Sequence, residues 1–524
     1  MILREPCNEG VVLAGKGAPA CPRSAEPWVL AATILGSSMA FIDSTAVNVA
    51  LPALQAGLGA TVSQVQWVVE AYALFLSALL LVGGSLGDRF GRRRIFLTGV
   101  VGFALASAWC GLASGIGQLI AARAAQGIAA ALLVPGSLAL LSSSFDKERR
   151  GRAIGTWSGF AAITAAVGPL IGGWLIDKAS WRWVFALNLP LALAVLVIAL
   201  RFVPESRDPE APKRLDLAGA SLATLGLGGI TFGLIESSRL GWTSPRVAGA
   251  LALGLAALPG FLAIEARAEA RKTAPMMPLS LFRSRAFAGA NLLTLWLYAA
   301  LGGALFFLPF NLIQVHRYSA TAAGGALLPF ILLMFLLSRW SGGLVDRYGA
   351  RRPLIAGPAI AAAGLALLAL PGTDGSYWTT FFPAVLVLGF GMAVSVAPLT
   401  TTVMGAVEER HAGLASGINN AVSRCAGLLS VAALGILMLG LFSRSLDVRL
   451  DALDLPPAAL QALEHERTKL AALPIPAALP DAQRAAIRTA VDEAFLDGFR
   501  GVMLAAAGLA LLASISAWRM IPSD

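Results

Sequence analysis

Three ionisable side chains lie inside long apolar stretches of this 524-residue chain: Asp43, Glu70 and Arg123. A charge at the centre of a membrane-spanning helix costs about 2.5 to 3.5 kcal/mol on insertion scales, so such positions are functional candidates by default. A carboxyl group in a dry cavity can load and unload a proton, and a nearby guanidinium opposes the loading. These residue types therefore predict proton transfer at Asp43. Glu70 and Arg123 either take part in it or lie only at the membrane interface.

The composition indicates that the setting for these residues is a membrane. Hydrophobic residues make up 57% of the chain and charged residues 13%, against about 45 to 50% and 25% in soluble domains. Apolar windows close to the ~20 residues that cross a bilayer recur along the whole sequence. The predicted spans are residues 28–51, 65–86, 95–113, 119–141, 153–175, 184–203, 217–235, 247–264, 287–313, 320–337, 354–370, 381–403, 414–442 and 499–518.

An internal repeat supports this count of fourteen spans. Segment 84–94 returns as segment 342–352 with identity at seven of eleven positions. The first copy follows the second predicted span and the second copy follows the tenth, whereas two plain six-span halves would put it after the eighth. We therefore predict an all-α integral membrane protein in which two spans are inserted between two related six-helix bundles.

This arrangement predicts the domain limits. The chain divides into a cytoplasmic tail 1–27, an N-terminal bundle 28–203, a linker with two extra spans 204–286, a C-terminal bundle 287–519 with an external loop 443–497, and a cytoplasmic tail 520–524. The loop is amphipathic, and its Leu, Ala and Pro pattern predicts a helical hairpin. It either lies over the outer mouth, meets an external adaptor protein or is a simple connector.

The basic residues predict the orientation. Lys and Arg concentrate in the loops on one face, including both copies of the repeat, and short loops with this excess are cytoplasmic. Both termini are therefore predicted in the cytoplasm. The formal charge of +10 is explained by these loops, without a basic and aromatic surface that would bind nucleic acid. Abundant Ala, Leu, Gly and Arg with little Lys suggest a GC-rich bacterial genome and hence a bacterial cytoplasmic membrane.

The sequence offers no signal for a metal, a cofactor or ATP hydrolysis. The four cysteines show no CxxC spacing, the three histidines lie far apart, and a phosphate-binding loop of the Walker type is absent from the sequence. An enzyme or a receptor would need a catalytic constellation or an attached soluble domain, so both are disfavoured. The repeat of a charged turn between spans points to transport, and proton transfer at Asp43 would draw on the proton motive force.

Five segments together resemble the major facilitator superfamily, and within it the fourteen-helix drug:proton antiporters. Segments 84–94 and 342–352 are similar to the signature loop after the second helix, and residues 42–52 resemble the first-helix motif of the drug antiporters. Arg123-Ala-Ala-Gln126-Gly127 resembles their fourth-helix motif, and residues 181–190 resemble their sixth-helix entry. The resemblance covers nearly the whole chain and says little about which drug is carried.

The resemblance implies roles for particular residues. For proton coupling, which the buried ionisable residues predict at Asp43, Arg123 and Glu70, it points to the motif arginine, Arg123. It implies a conformational switch in the two loops, at Gly84, Asp88, Arg89, Gly91, Arg92, Asp346 and Arg347. Charge and position predict that Asp88 and Asp346 pair with Arg92 or Arg351. It implies an antiporter helix motif at Gly155, Gly159, Gly168, Pro169, Gly172 and Gly173. Topological charge alone is the alternative for the loops, and ordinary tight packing is the alternative for the glycines.

The expected function is proton-coupled export of amphipathic drugs or toxic compounds by alternating access, with a monomer in contact with membrane lipid as the working unit. The alternative is a narrow-specificity metabolite transporter of the same fold. Arg424 either binds an anionic group of the substrate or pairs within the cavity. The candidate cavity residues are Asn48, Tyr72, Gln126, Trp296, Asn420 and Arg424.

Overall fold

The computed structural model describes residues 25–145, 147–207, 216–271, 275–408 and 412–522. Most of the predicted tail 1–27 and part of the tail 520–524 lie outside the described residues, as do Cys7, Cys21 and His411. Within the described residues the chain is helical and has no strand.

The helices follow one another with short connections. They are α1 (Glu26–Leu58), α2 (Val62–Phe90), α3 (Arg92–Leu112), α4 (Ile116–Ser144), α5 (Lys147–Lys178), α6 (Arg182–Ala186), α7 (Asn188–Phe202), α8 (Leu217–Leu240), α9 (Pro245–Ala270), α10 (Arg285–Phe310), α11 (Ala320–Ala326), α12 (Leu328–Gly342), α13 (Leu344–Tyr348), α14 (Arg351–Leu368), α15 (Tyr377–Gly405), α16 (Ala412–Asp451), α17 (Pro457–His465) and α18 (Asp481–Met520). Single turns of 3₁₀-helix at Leu279–Arg283 and Arg467–Ala472 and a π-helical turn at Asn311–Val315 complete the regular structure.

The prediction of fourteen spans is confirmed. Fourteen segments of the described chain are helical, long enough and apolar enough to cross a membrane. Two of these spans are each built from two consecutive helices, α6 with α7 and α11 with α12. Every predicted span falls on one of the fourteen, because a window of about 20 apolar residues can satisfy its backbone in lipid only as a helix.

Helices extend into the segment 443–497, for which the sequence pattern predicted a helical hairpin. Helix α16 continues to Asp451 and α18 begins at Asp481, so residues 443–451 and 481–497 belong to helices. Between them lie α17 and the 3₁₀ turn. Apolar content underestimates these helices because their outer turns carry charged residues that pair across the two helices, as Arg449 Nε does with Glu493 Oε2 at 2.9 Å.

The chain divides into two compact units. Unit 1 comprises Met1–Val47, Val68–Gly226 and Ala256–Pro278, and unit 2 comprises Asn48–Trp67, Leu227–Leu255 and Leu279–Asp524. Four helices, α1, α2, α8 and α9, therefore contribute residues to both units. The units do not follow one another along the sequence, and the linear domain limits given above stay a prediction.

Each unit has its own packed interior. In unit 1, α3 and α4 pack along their length, and buried Phe96 and Phe103 lie in a core with Leu133 and Val195. In unit 2, α10 packs on α16 and α18, and α14 packs on α15 and α18. Unit 1 is the one that holds Asp43 and Arg123, so its helix contacts decide the geometry of the candidate site.

Two of the predicted motif glycines bring α5 against α1. A Cβ atom on Gly172 would meet Ala46 Cβ at 2.8 Å, and one on Gly168 would meet the Thr45 hydroxyl. Gly155 of the same helix faces open space. Close helix approach therefore depends on Gly168 and Gly172, at the level of α1 that also carries Asp43.

We expect Gly172→Ala to destabilise the protein by about 1 to 3 kcal/mol, because the added methyl overpacks the contact with α1. Gly155→Ala is the matched control in the same helix. It adds the same methyl group into open space and replaces glycine by a better helix former. The measurement is the thermal unfolding midpoint of the purified protein in detergent. Equal midpoints for the two variants would show that α1 and α5 are not held closely at Gly172.

Candidate functional site

The centre of the site is an ion pair between Asp43 on α1 and Arg123 on α4. The Arg123 Nη1 donor lies 2.5 Å from Asp43 Oδ2, and each residue is 1% exposed. Gln126 joins the pair: its Oε1 accepts from Arg123 Nη1 at 2.7 Å, and its Nε2 donates to Asp43 Oδ1 at 2.8 Å. Since Arg123 and Gln126 are three residues apart on one helix face, a single face of α4 supplies both donors to the carboxylate.

Two more helices complete the carboxylate's environment. Asn188, the first residue of α7, donates from Nδ2 to Asp43 Oδ1 at 3.2 Å and to Ser107 Oγ on α3 at 2.9 Å. Ser107 in turn donates to the carbonyl oxygen of Phe185 on α6, at 2.9 Å. Asp43 thus accepts hydrogen bonds from Arg123 and Gln126 on α4 and from Asn188 on α7. Asn188 also connects this group to α3 through Ser107.

The rest of the Arg123 side chain faces α2. Its Nε donates to the carbonyl oxygen of Val68 at 3.0 Å, and its guanidinium carbon lies 4.3 Å from the centre of the Tyr72 ring. A cation over an aromatic face is stabilised by the ring quadrupole, the more so when both are desolvated. Gly127 allows this approach, because a Cβ atom there would collide with the backbone of Tyr72. The fourth-helix motif therefore supplies the cation, the bridging amide and the space for α2.

This arrangement is a buried charge network. A buried ion pair needs good geometry and further hydrogen bonds, and both Asp43 and Arg123 are hydrogen-bonded to other groups of unit 1. The carboxylate of Asp43 is the group of this pair that a proton would neutralise, and its oxygens are occupied by donors from Arg123, Gln126 and Asn188.

Glu70 does not join this network. It is fully buried in α2, and its Oε2 has no hydrogen-bond partner among the described residues. Tyr72, two residues later, faces Arg123, and two helical residues are about 200° apart. Glu70 therefore projects from a different side of α2. Its predicted part in proton coupling stays a prediction.

The predicted cavity residues separate into two groups. Tyr72 and Gln126 are buried and contact Arg123, as described above, so in this structure they serve the network and do not line an open space. Asn48, Trp296 and Arg424 are half-buried. Asn420 is exposed, and its Nδ2 donates to the carbonyl oxygen of Ser416 in its own helix. The four residues of this second group belong to unit 2, and their contact with a substrate stays a prediction.

Two carboxylates, those of Asp88 and Glu205, bind the arginine segment of the first signature loop. Arg92 Nε donates to Asp88 Oδ1 at 2.8 Å, which confirms the expected pairing within this copy. Gly91 turns the chain between α2 and α3 with a φ of 115°, which favours glycine. Glu205, just after α7, accepts from the backbone amides of Arg93 and Arg94 at 3.0 and 3.2 Å. Its charge thereby caps the positive end of α3.

The second signature loop keeps the turn but not these contacts. Gly349 has a φ of 71°. The expected pairing of Asp346 with Arg351 is wrong: Asp346 is exposed and makes no ion pair among the described residues, and Arg351 Nη2 donates instead to the carbonyl oxygen of Trp518, at 2.7 Å. The first pair spans four residues, and the residue four after Asp346 is Ala350. The duplicated loops are therefore not equivalent.

Three functional residues escaped the sequence reasoning. Asn188 stood in a recognised motif but had no assigned role, Ser107 is an ordinary small residue in an apolar helix, and Glu205 follows a predicted span. Uncharged polar residues in a span give a weak signal, because they are common there as packing residues. The available signal for Glu205 was its position: it is an acid that follows a predicted span closely, on the membrane face where the arginines of segment 84–94 are predicted.

Fourteen candidate spans define a multi-pass membrane protein. Residues 33–431 match the sequence profile of the Major Facilitator Superfamily, and the chain belongs to that family. A bacterial homologue of the human lysosomal transporter Spinster, solved in an inward-facing and occupied conformation, has a similar fold: its TM-score is 0.66 at 16% identity, over 96% of this chain and 98% of that one.

Curated relatives cover almost the whole sequence. The tetracenomycin C resistance and export protein of Streptomyces glaucescens is 34% identical over 501 residues, which are 95% of this chain and 92% of that protein. The multidrug resistance protein Stp of Mycobacterium tuberculosis is 34% identical over 507 residues, 94% of this chain and 92% of that protein. The resemblance to antiporters in the sequence thus extends to relatives that are named as exporters and resistance proteins.

The stability of the protein should depend on the Asp43–Arg123 ion pair. Either Asp43→Asn or Arg123→Gln leaves one buried charge without its partner, and we expect each to lower the free energy of unfolding by about 3 to 5 kcal/mol. The double variant removes both charges and should be more stable than either single variant. The measurement is the unfolding midpoint in detergent. Losses that simply add in the double variant would contradict the pairing.

The difference between the two signature loops gives a matched pair of variants. Asp88→Asn removes a part-exposed ion pair. We expect it to change the ratio of inward-open to outward-open protein by up to about fivefold, which corresponds to the free energy that such a pair contributes. Asp346→Asn makes the same chemical change where no pair exists and should leave the ratio unchanged. Distance distributions between spin labels report the ratio. Equal effects of the two variants would refute a specific role for the Asp88 pair.

Proposed function

We propose that this protein exports amphipathic drugs or similar toxic compounds across the cytoplasmic membrane in exchange for protons. The observation that carries the export proposal is the similarity over more than nine-tenths of the chain to proteins named for drug and antibiotic export or resistance. The basic loops support a bacterial cytoplasmic membrane with both termini inside. The proton motive force is the energy source, and no cofactor is required.

Proton coupling is assigned to the Asp43–Arg123 pair. In this conformation Asp43 is 1% exposed and its oxygens are occupied by Arg123, Gln126 and Asn188. A cationic substrate therefore does not reach it here. We propose that Arg123, and not a cationic substrate, competes with the proton for the Asp43 carboxylate: a proton bound to Asp43 cancels the carboxylate charge and frees the guanidinium from its ion pair.

That exchange of partners biases a conformational change. Arg123 keeps Gln126 Oε1 and the Val68 carbonyl oxygen as acceptors, but its strongest attraction to α1 is gone once Asp43 is protonated. The free energy of the contact between α1 and α4 therefore depends on whether Asp43 is protonated. If only one of two conformations keeps this contact, the proton binds the two conformations unequally and shifts the equilibrium between them. Alternating access between two bundles would carry the shift to the substrate.

The substrate class follows from where the charges lie. Asp43 and Glu70 are the ionisable acids predicted deep in the first half, and Arg424 is a half-buried cation of the second. A monocationic, neutral or zwitterionic amphipath fits this balance better than a dication. A second candidate function, export of one particular metabolite, is favoured by the relative that is named for a single antibiotic.

Efflux of an acridine-type dye from a pump-deficient bacterium tests the proposal. We expect protonophore-sensitive efflux by the wild type and its loss in Asp43→Asn at equal amounts of protein in the membrane. Passive exchange of preloaded dye in proteoliposomes should survive in Asp43→Asn, because that reaction needs no net proton movement. Asp481→Asn is the control, since it makes the same change at an acid with a side chain 91% exposed.

The outcomes separate the two candidate functions. Wild-type coupling in Asp43→Asn would remove this residue from the mechanism. Absence of dye efflux by the wild type, with saturable export of one compound, would replace the multidrug function by the narrow one. Loss of both coupled efflux and passive exchange in Asp43→Asn would show that the variant has lost transport as a whole, which would contradict a role confined to the proton.

A further inference from the structure

A basic cavity lies at the second signature loop, within unit 2. It has a volume of about 630 Å³ and is lined by the arginines Arg347, Arg351 and Arg352 together with the aromatic residues Tyr348 and Trp518. Arg347 and Arg352 are exposed, and Trp518 is 55% exposed. Cavities of this size hold small ligands. Three guanidinium groups around one space indicate an anionic ligand.

In the first copy of the loop, an anionic group occupies the corresponding position at the start of the next helix. There the Glu205 carboxylate accepts from the amides of Arg93 and Arg94, at the start of α3. The corresponding residues at the start of α14 are Arg351 and Arg352, and no acidic side chain of the described residues accepts from their amides. The same turn and helix start therefore carry an anion in one copy, and in the other copy none is found among the described residues, which end at residue 522.

The sequence explains the difference. The first half reads Arg201-Phe-Val-Pro-Glu205 after its last span, and the second reads Arg519-Met-Ile-Pro-Ser523. Serine thus replaces the capping glutamate, although Ser523 itself lies outside the described residues. Arginine has also become Ala350 at the position that pairs with Asp88 in the first copy. In the part of the chain that the structure describes, the second loop thus has neither of the two carboxylate contacts of the first loop, and it keeps Arg347, Arg351 and Arg352.

Within the described part of the chain, Arg351, whose side chain is held in place by a hydrogen bond, still has a free N–H donor. Arg351 Nη2 is held by the carbonyl oxygen of Trp518, while its buried Nε has no partner among the described residues. Asp346 is the acid on the adjoining helix α13. It is exposed and does not line the cavity, so it does not neutralise the three guanidinium groups.

An apolar stripe runs from the cavity along α18. Leu511 and Ile515 are 49% and 43% exposed and stand at helical spacing before Trp518, hence on one helix face. Tryptophan and tyrosine are enriched where membrane proteins meet the lipid headgroups. A ligand with an anionic head and hydrocarbon chains would match the arginines and the stripe together.

We propose that this cavity binds the phosphodiester headgroup of an anionic membrane lipid, whose acyl chains lie along the Leu511 and Ile515 stripe. The phosphate takes the place at α14 that Glu205 holds at α3. Arginine forks fit phosphate oxygens in pairs, and basic pockets between spanning helices are known to suit such headgroups. In the orientation proposed above, the lipid belongs to the cytoplasmic leaflet.

Native mass spectrometry of the purified protein with added dioleoylphosphatidylglycerol tests the site. We expect one tightly held lipid that dioleoylphosphatidylcholine does not replace. Arg347→Gln with Arg352→Gln should weaken this binding by about fivefold for each arginine removed. Both residues are exposed, so these changes should not unfold the protein. Arg519→Gln, an exposed arginine that does not line the cavity, should change the affinity less than about twofold.

Each other outcome overturns the proposal. Equal retention of the two lipids, or an equal loss in Arg519→Gln and the cavity variant, would mean a general charge effect without a site. Full competition by inorganic phosphate at equal concentration, with no contribution from the acyl chains, would assign the cavity to a free phosphate anion. Dye efflux is not part of the readout, so the result is independent of the proposed transport function.

Discussion

The structure of unit 1 depends on one constraint, which is that a buried carboxylate and a buried guanidinium must stay together. The Asp43–Arg123 pair would be costly in a dry interior if either partner stood alone. Its requirements explain the surrounding residues. Gln126 bridges both charges, Asn188 is a second amide donor to the carboxylate oxygen that Gln126 binds, and glycine at 127 lets α2 bring the Tyr72 ring to the cation. Helices α1, α2, α4 and α7 are tied at one level for this reason.

The two signature loops show how a duplicated element diverges under the same backbone geometry. Glycine with positive φ is kept at 91 and 349, because the turn between consecutive helices needs it. The side chains that close the turn are not kept. A salt bridge near the surface contributes little free energy, so the pair at Asp88 and Arg92 could be lost from the other copy without loss of the fold.

Physical reasons also separate what the sequence predicted from what it did not. The fourteen spans were predictable because the bilayer sets helix length, and the meeting of Asp43 with Arg123 was predictable because a charge in hydrocarbon needs a partner. Ser107 and Asn188 were not predictable as ligands of Asp43, since neutral polar groups are inexpensive in helix interfaces. The prediction for Asp346 failed because the second copy keeps the acid but has Ala350 where the first copy has its partner, Arg92. The predicted partner, Arg351, lies one residue further along the chain.

All the side chains that hold Asp43 belong to the same unit, and this confinement bears on how the protein can evolve. A substitution in the other unit therefore removes none of the side chains that bind Asp43. Residues there can diverge without direct loss of a donor to this carboxylate, whereas a change at Arg123, Gln126 or Asn188 removes one at once.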